Sequence, residues 1–569
     1  MPHLALPSLA AYLRQAGVEV IQRDLNAEVF GRLLSRRHLH AVTRQLDREQ
    51  RRAPAQRLPP QVEQARQQAV AWASQAGSRI VDQIDDAVAT VRSERFYDPQ
   101  AGLDAFATLT EGLQLASVPH YPSELGLLGY RSAYPIDASR AIRAATQDRR
   151  LNMFRTLFQT WVIPHIRREQ PDVVGISLTS ADQVIAGFTL AALIKEAGLK
   201  AHVVVGGKMI TCWRELLPDA EALWAYIDSA IVREGEVALL RLVEALDRGT
   251  DLAEVPNLMY PDKGQIRLND AKEPEPVNAL PIPDFDGLPL DRYLAPARVL
   301  PVWASRGCYW GRCAFCNVGY GESKRFAEQC VERVAEEMMT LAQRHQTRHF
   351  FFADEALSPR MLRSLSAALI AAGADLDWCC CARFEPGIDA KLLDQMRQAG
   401  CRMVLYGLES GSQRVLDRMN KGTKLSTAER ILREGAQAGI WNHIFFFFGF
   451  PGETEQDARE TIRFFKANRR AVHSVCTGTF LLERYAEVAA DPGRYGIARL
   501  LAPSAERDLA YYYDYEIDSG ISAARAEEIE ATFIDSLPDK DVPQLYVHDI
   551  YRFLYAGRFA PSAKLPTMG

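Results

Sequence analysis

No stretch of this 569-residue chain approaches the ~18 consecutive apolar residues that a membrane-crossing helix requires. The opening MPHLALPSLAAYLRQAG lacks both a basic n-region and a small-residue cleavage site, so no secretory leader is expected and the expected compartment is the cytoplasm. Basic charge is not in excess: 67 Lys and Arg stand against 72 Asp and Glu, a net charge of -5. Nucleic-acid binders usually carry a basic face, so no nucleic-acid partner is expected. The local run RDLNAEVFGRLLSRRHLH fits a solvated helix face. No G-x-G-x-x-G is present, which removes the dinucleotide fingerprint. Thiols stay reduced in the cytoplasm, so a tight cysteine cluster there points to metal binding or catalysis rather than disulfides.

What is there is globular. Hydrophobic residues make up 47% and charged residues 24% of the chain, and at ~100–200 residues per domain this length predicts two to four units. LPSLAAYLRQAG has helical spacing through Leu9, Tyr12 and Leu13, and VEVIQRDLN after Gly17 has a strand pattern. Residues from about 27 to 168 are rich in Ala, Gln and Arg and are broken by RLPPQ and VPHYPSELG, a helical insertion without a chemical motif. Alternation then resumes with DVVGISLTS, QVIAGFTLAALIKEAG, AHVVVGG, YIDSAIVREGE and VALLRLVEAL. Val/Ile runs alternating with helices predict a doubly wound parallel sheet, the Rossmann-like class of α/β fold. Ligands of such sheets sit at strand carboxyl ends, which here carry Ser177, Thr179, Ser180, Gly206, Gly207, Glu234 and Gly235. A Gly-Gly pair after a strand also serves simple turns.

The proline-dense stretch EPEPVNALPIPDFDGLPLDRYLAP reads as a linker. The expected division is residues 1–272 for the first domain, 273–298 for the linker, 299–485 for a second domain and 486–569 for a mostly helical C-terminal segment. The second domain has six strand patterns, LPVWAS, RHFFFADE, LDWCCCARFEP, CRMVLYGLES, NHIFFFFGFPGE and VCTGTFLLE, separated by helical ones. Ser426 with Glu429 and Thr454 with Asp457 are spaced as capping boxes. Six such units predict a partial (β/α)6, TIM-like barrel.

Cys308, Cys313 and Cys316 fall in RGCYWGRCAFC, in the first loop after a barrel strand, on the face where barrel enzymes keep their sites. A structural zinc site would need four ligands, and no second Cys-x-x-Cys or His pair lies nearby. Cys330 and the run Cys379–Cys381 read as small buried hydrophobes, the latter alternating between the two faces of a strand. C-x4-C-x2-C is also the spacing of a plant-type [2Fe–2S] ferredoxin, which needs a fourth cysteine. Three thiolates holding three irons of a [4Fe–4S] cluster leave the fourth iron open to a ligand that is not protein.

From about Trp303 to Asn468 the chain resembles the radical S-adenosylmethionine (radical SAM) superfamily, on CYWGRCAFC, FADEALSP, ARFEPGIDAKLLDQMRQAGCRMVLYGLESGSQRVLDRMNKGT and GFPGET. The superfamily's usual C-x3-C-x2-C is one residue shorter. The resemblance implies that Cys308, Cys313 and Cys316 carry a [4Fe–4S] cluster and that SAM chelates its open iron. It further implies that Asp354 and Glu355 accept from the SAM ammonium, that Arg383 pairs with its carboxylate and that Glu409 meets its ribose or methionine part. Gly449, Pro451 and Gly452 would lie against adenine and Phe315 would cover it. Purely structural roles stay open beside these: an Arg383–Glu409 ion pair, and Glu453 capping the helix that starts near Thr454. The domain before the linker resembles that of the cobalamin-dependent branch, without its Asp-x-His-x-x-Gly signature, so cobalamin is a further implied cofactor. The implied activity is reductive cleavage of SAM to a 5′-deoxyadenosyl radical, followed by methyl transfer to an unactivated carbon of an organic substrate. An external one-electron reductant such as flavodoxin or ferredoxin would supply the electron. The alternatives are a radical rearrangement or cyclisation without methyl transfer, and a non-catalytic iron–sulfur carrier.

Overall fold

A computed structural model describes residues 1–50, 59–271, 274–317, 326–537 and 548–559. The last residue of the expected first domain, 272, the first of the expected linker, 273, and 538–547 and 560–569 of the expected C-terminal segment lie outside these. Helix α1 (Ala5–Gln15) opens the chain and is followed by α2 (Leu25–Leu33), α3 (Arg36–Gln50), α4 (Pro60–Val91) and α5 (Pro99–Ser117). The Pro-Pro step at 59–60 places proline at the first helical position of α4, where its missing N–H has no helical partner to lose. Ile80, Ile84, Ala87 and Val91 recur along one face of α4 and are buried. Between Gly17 and Leu25 the expected strand VEVIQRDLN is absent. The first strand of the nearby sheet is an edge, paired on one side only among the described residues, and the segment is tied elsewhere. The Gln22 amide donates to the Asp284 and Asp286 carbonyls at 2.7 and 2.6 Å, and Arg14 donates to Val20 O at 2.8 Å. Strand propensity without a pairing partner gives an extended segment only.

The first sheet has the order β1 (Val173–Ser177), β2 (His202–Gly206), β3 (Ser229–Ile231), β4 (Leu258–Asp262) and β5 (Gln265–Leu268). The first three are parallel, joined by crossovers such as α6 (Val184–Glu196), while β4 and β5 return antiparallel after α7 (Glu236–Arg248). The sheet is therefore mixed, not wholly parallel as expected. The β4–β5 connection is a hairpin, Asp262-Lys263-Gly264-Gln265, with Lys263 and Gly264 at positive φ, and two strands joined this closely can only run antiparallel.

Six parallel strands form the second sheet: β6 (Val299–Val302), β7 (His349–Phe352), β8 (Asp377–Ala382), β9 (Cys401–Glu409), β10 (Trp441–Phe448) and β11 (Ser474–Thr479). Each pairs with its sequence neighbour, the order of a barrel left open between first and last strand. The chief helices between them are α8 (Val331–His345), α9 (Pro359–Ala371), α10 (Ala390–Gln398), α11 (Gln413–Arg418), α12 (Leu425–Gln437) and α13 (Glu455–Ala467). The capping box at Thr454 and Asp457 forms, whereas α12 starts at Leu425 with Lys424 before it, so Ser426 lies inside the helix and does not cap it. Cys380, Val404 and Tyr406 point outward into the core under the helices, and Cys379, Met403 and Leu405 point inward. The inward set packs in one core with Ile550, Phe553 and Leu554 of α15 (Asp549–Arg558), a helix that contacts β8 and β9 and fills the amino-terminal half of the lumen. The carboxyl-terminal half is left open.

The stretch expected to be mostly helical, 486–569, includes two strands, β13 (Ile497–Leu501) and β14 (Tyr512–Ile517), which pair antiparallel with each other, and β14 also pairs with β12 (Leu482–Glu483) just before the stretch; α14 (Ala523–Asp535) follows. β14 alternates exposed and half-buried side chains, the two-residue period of a strand with one solvated face.

Candidate functional site

A cavity of about 920 Å³ occupies the carboxyl-terminal half of the barrel. Its wall includes Cys308, Cys313, Cys316, Phe315, Glu355, Cys381, Arg383, Glu409 and Lys421. All three thiols are half-buried, and none is in a disulfide. Among the described residues no three His, Cys, Asp or Glu side chains are drawn together closely enough for a single metal ion. The three thiols line the same chamber.

Cations offset the charge that three thiolates would bring. Arg383, 4% exposed at the end of β8, directs Nη1 at Cys313 Sγ across 3.9 Å, donates from Nε to Glu385 at 3.0 Å and from Nη2 to Lys421 O. Burial pushes the Cys313 thiol up, and Lys421 and Arg383 act against that rise. Lys421, 6% exposed, donates to Glu409 Oε1 at 2.7 Å. The Arg383–Glu409 ion pair is therefore not formed, since each has another partner. Glu409 has φ +66, rare for a residue with a Cβ, where the β9–β10 register shifts. Lys421 escaped the sequence reading because it sits in NKGT, a loop between two short helices with no periodic signal; a turn composition beside a barrel mouth was its only trace. Cys381 also reaches the wall, as the inward member of the alternating run nearest the strand's carboxyl end.

Asp354 does not line this cavity. It is 4% exposed, accepts from Ala304 N at 3.0 Å and from Ser305 Oγ at 2.5 Å, and burial pushes its carboxyl up to about 6. It fastens the start of the cysteine loop, and Glu355 alone of the acidic pair faces the chamber. Phe315 lies edge to face with Phe447 at 5.3 Å. Gly449 and Gly452 stand outside the chamber wall in a turn at positive φ, closed by Glu453, which accepts from Gly449 N at 2.5 Å and Phe450 N at 3.2 Å. Glu453 is fully buried, and burial raises its carboxyl to about 7. It caps the turn rather than the helix, which Thr454 and Asp457 cap.

Of the first-sheet candidates, Ser177, Thr179 and Ser180 line a separate cavity of about 590 Å³. Thr179 donates from N and Oγ1 to Gln183 Oε1 at 2.7 and 3.0 Å. Gly206, Gly207, Glu234 and Gly235 line neither cavity. Gly207 has φ +100, and a Cβ there would lie 2.6 Å from Leu178 O, so that close approach is spent within the chain. The segment just beyond it meets the barrel mouth: Tyr485, on the chamber wall, donates to Cys212 O at 3.3 Å and carries the Arg214 guanidinium 3.7 Å above its ring.

Residues 304–465 match the radical SAM superfamily. This segment is a radical SAM domain. The superfamily uses a [4Fe–4S] cluster and SAM. An uncharacterized methyltransferase of Pyrococcus horikoshii is 31% identical over 306 residues, 53% of this chain and 65% of that protein. The anaerobic magnesium-protoporphyrin IX monomethyl ester cyclase of Rubrivivax gelatinosus is 27% identical over 325 residues, 55% of this chain and 57% of that one. The matches thus span less than two thirds of these relatives. In fold, the radical SAM methyltransferase TsrM from Kitasatospora setae, with tryptophan substrate and a SAM analog bound, superposes with TM-score 0.56 at 18% identity, covering 72% of this chain and 88% of TsrM. The cobalamin-dependent SAM radical enzyme OxsB, with aqua-cobalamin and SAM bound, gives 0.55 at 17% identity over 70% and 65% of the two chains. These likenesses, which extend well beyond residues 304–465, establish a shared architecture, with the radical SAM domain as its barrel.

Proposed function

We propose that the chain is a radical SAM enzyme in which Cys308, Cys313 and Cys316 hold the [4Fe–4S] cluster and that it transfers a methyl group to an organic substrate. One observation carries the first part: the three thiols line one chamber with Arg383, Lys421, Glu355 and Glu409, at strand carboxyl ends of a parallel barrel. Cluster and SAM, when bound, supply reductive cleavage of a carbon–sulfur bond and so the means to take hydrogen from an unactivated carbon. The chain's own residues do the rest. Arg383 and Lys421 offset thiolate charge, Glu355 presents a carboxylate to an ammonium, and Glu409 is held in place by Lys421. Phe315, Phe326, Trp310 and Tyr485 wall the chamber and keep water from reactive species.

Methyl transfer is supported by the likeness to the Pyrococcus methyltransferase and by a fold shared with TsrM and OxsB. Cobalamin is the proposed methyl carrier, because OxsB, which shares the fold, is cobalamin-dependent and binds aqua-cobalamin. Its contacts would come from the strand ends of the first sheet, but there Ser177 and Thr179 open on a separate cavity while Gly206 and Gly207 pack against Ile231 and Leu178.

The test is anaerobic reconstitution of the full chain, with counts of iron and sulfide, then reduction in the presence of SAM. Four irons and release of 5′-deoxyadenosine or S-adenosylhomocysteine are expected. A two-iron centre indifferent to SAM would show a carrier instead. Cobalamin content, and label from the SAM methyl group in the product, test the methyl transfer.

A further inference from the structure

The spacing of the cysteines leaves four residues, Tyr309 to Arg312, between the first two ligands, and one of them has a built slot. Trp310 donates from Nε1 to Asn420 O at 2.9 Å. Its six-membered ring lies over Gly422, where a Cβ would come within 2.4 Å of Cζ2 and 2.5 Å of Cη2, so only glycine leaves room for the indole. Arg383 lies across the indole, its guanidinium carbon 4.5 Å from the ring centroid. Arg383 has three further anchors: Nε on Glu385, Nη2 on the Lys421 carbonyl and Nη1 on Cys313 Sγ at 3.9 Å. Indole, guanidinium and the 420–422 loop therefore form one bracket that presses a cation against a cysteine sulfur.

We propose that Trp310 is a positioning residue which, seated on Gly422, holds Arg383 against the Cys313 corner of the cluster, so that the pair sets the cluster's reduction potential. This rests on the reading that the three cysteines carry the cluster. Reduction adds negative charge to the cluster, and a fixed guanidinium beside one ligand sulfur stabilises the more negative state. Hydrogen bonds to the sulfurs and nearby charge are the levers by which proteins move such potentials. An aromatic face restricts a guanidinium that would otherwise sample other rotamers, and Trp offers the best face for it. Arg383 already directs three of its donors to protein atoms. It thus acts on the cluster more than on a SAM carboxylate, the role that the family resemblance implies.

The test uses the full chain, reconstituted anaerobically, with iron and sulfide counted and the midpoint potential read by electron paramagnetic resonance at poised potentials. SAM affinity is measured separately on the oxidised protein. Arg383→Gln is expected to move the potential in the negative direction while keeping four irons. Trp310→Ala and Gly422→Ala should shift it the same way by a smaller amount, since both unseat the indole. Trp310→Phe, which keeps a ring for Arg383 and loses the bond to Asn420, should stay nearer the parent. If Trp310→Ala does not retain the cluster, Arg383→Gln and Trp310→Phe decide. An unchanged potential in Arg383→Gln with a large loss of SAM affinity overturns the proposal and returns Arg383 to the SAM carboxylate. Unchanged potentials in both Gly422→Ala and Trp310→Ala overturn the role of Trp310. A parent protein without four irons overturns the cluster reading itself, which separates that failure from the others.

Discussion

Replacing Glu453 by glutamine should stabilise the protein, and only above mildly acidic pH. The side chain is fully buried and its Oε2 accepts both Gly449 N and Phe450 N, while Oε1 has no hydrogen-bond partner. Burial lifts the carboxyl from 4.5 to about 7. The folded state therefore binds the proton more tightly than the unfolded chain does. Stability from this group is complete below pH 4.5 and is lost as pH rises through about 7. At 1.36 kcal/mol per pH unit of difference, the loss is about 3 kcal/mol. A carboxamide reproduces the protonated acid: its oxygen accepts both N–H groups, and its NH2 occupies the place of the unpartnered oxygen. Glu453→Gln should equal the parent near pH 4.5 and exceed it by about 3 kcal/mol above pH 7, the difference growing between the two. Urea unfolding followed by tryptophan fluorescence at half-unit pH steps measures this. A difference that does not change with pH, or a variant less stable than the parent at pH 8, would refute the reasoning.

Serine at Cys308, Cys313 or Cys316, one at a time, should abolish the four-iron absorption, whereas Cys330→Ser, at an exposed helix start that its side chain does not cap, should leave it intact; iron counts decide. Lys421→Met leaves the Glu409 carboxylate buried without its partner and should cost about 3–5 kcal/mol. Adding Glu409→Gln should recover much of that, and a double-mutant cycle that is merely additive would contradict the pairing. His443 is fully buried, its Nδ1 2.7 Å from Ser474 Oγ, and burial lowers its pKa from 6.5 to about 3. Its contribution is thus present above pH 6.5 and lost on acidification, opposite in sign to that of Glu453, and His443→Gln should flatten the acid limb of the unfolding free energy.

The barrel was largely legible because most of its strands carry apolar runs bounded by a helix pattern, and such runs are buried on both faces; the last, Ser474–Thr479, is more polar and more exposed. Cys379, Cys380 and Cys381 illustrate the reach of local rules: alternation separates them onto two faces, and Cys381 then meets the chamber through its place near the strand end. YYYDYEI, in the stretch expected to be mostly helical, carries a period of two and forms β14. VEVIQRDLN carries strand composition and forms none, because pairing needs an adjacent edge that periodicity cannot supply.

From the sequence by itself follow the cysteine spacing, the six barrel strands and their order, and the resemblance that ties those thiols to SAM. These are short-range properties, written in neighbouring residues. Only tertiary structure decided which polar groups meet: Lys421 with Glu409, Arg383 with Cys313 and Trp310, and Asp354 with the cysteine loop instead of the chamber. It also decided that a helix from the far end of the chain fills the lower lumen and leaves the upper half open. Each of these pairings joins residues distant in sequence, and a buried charge takes whichever partner the packed backbone brings within hydrogen-bond reach.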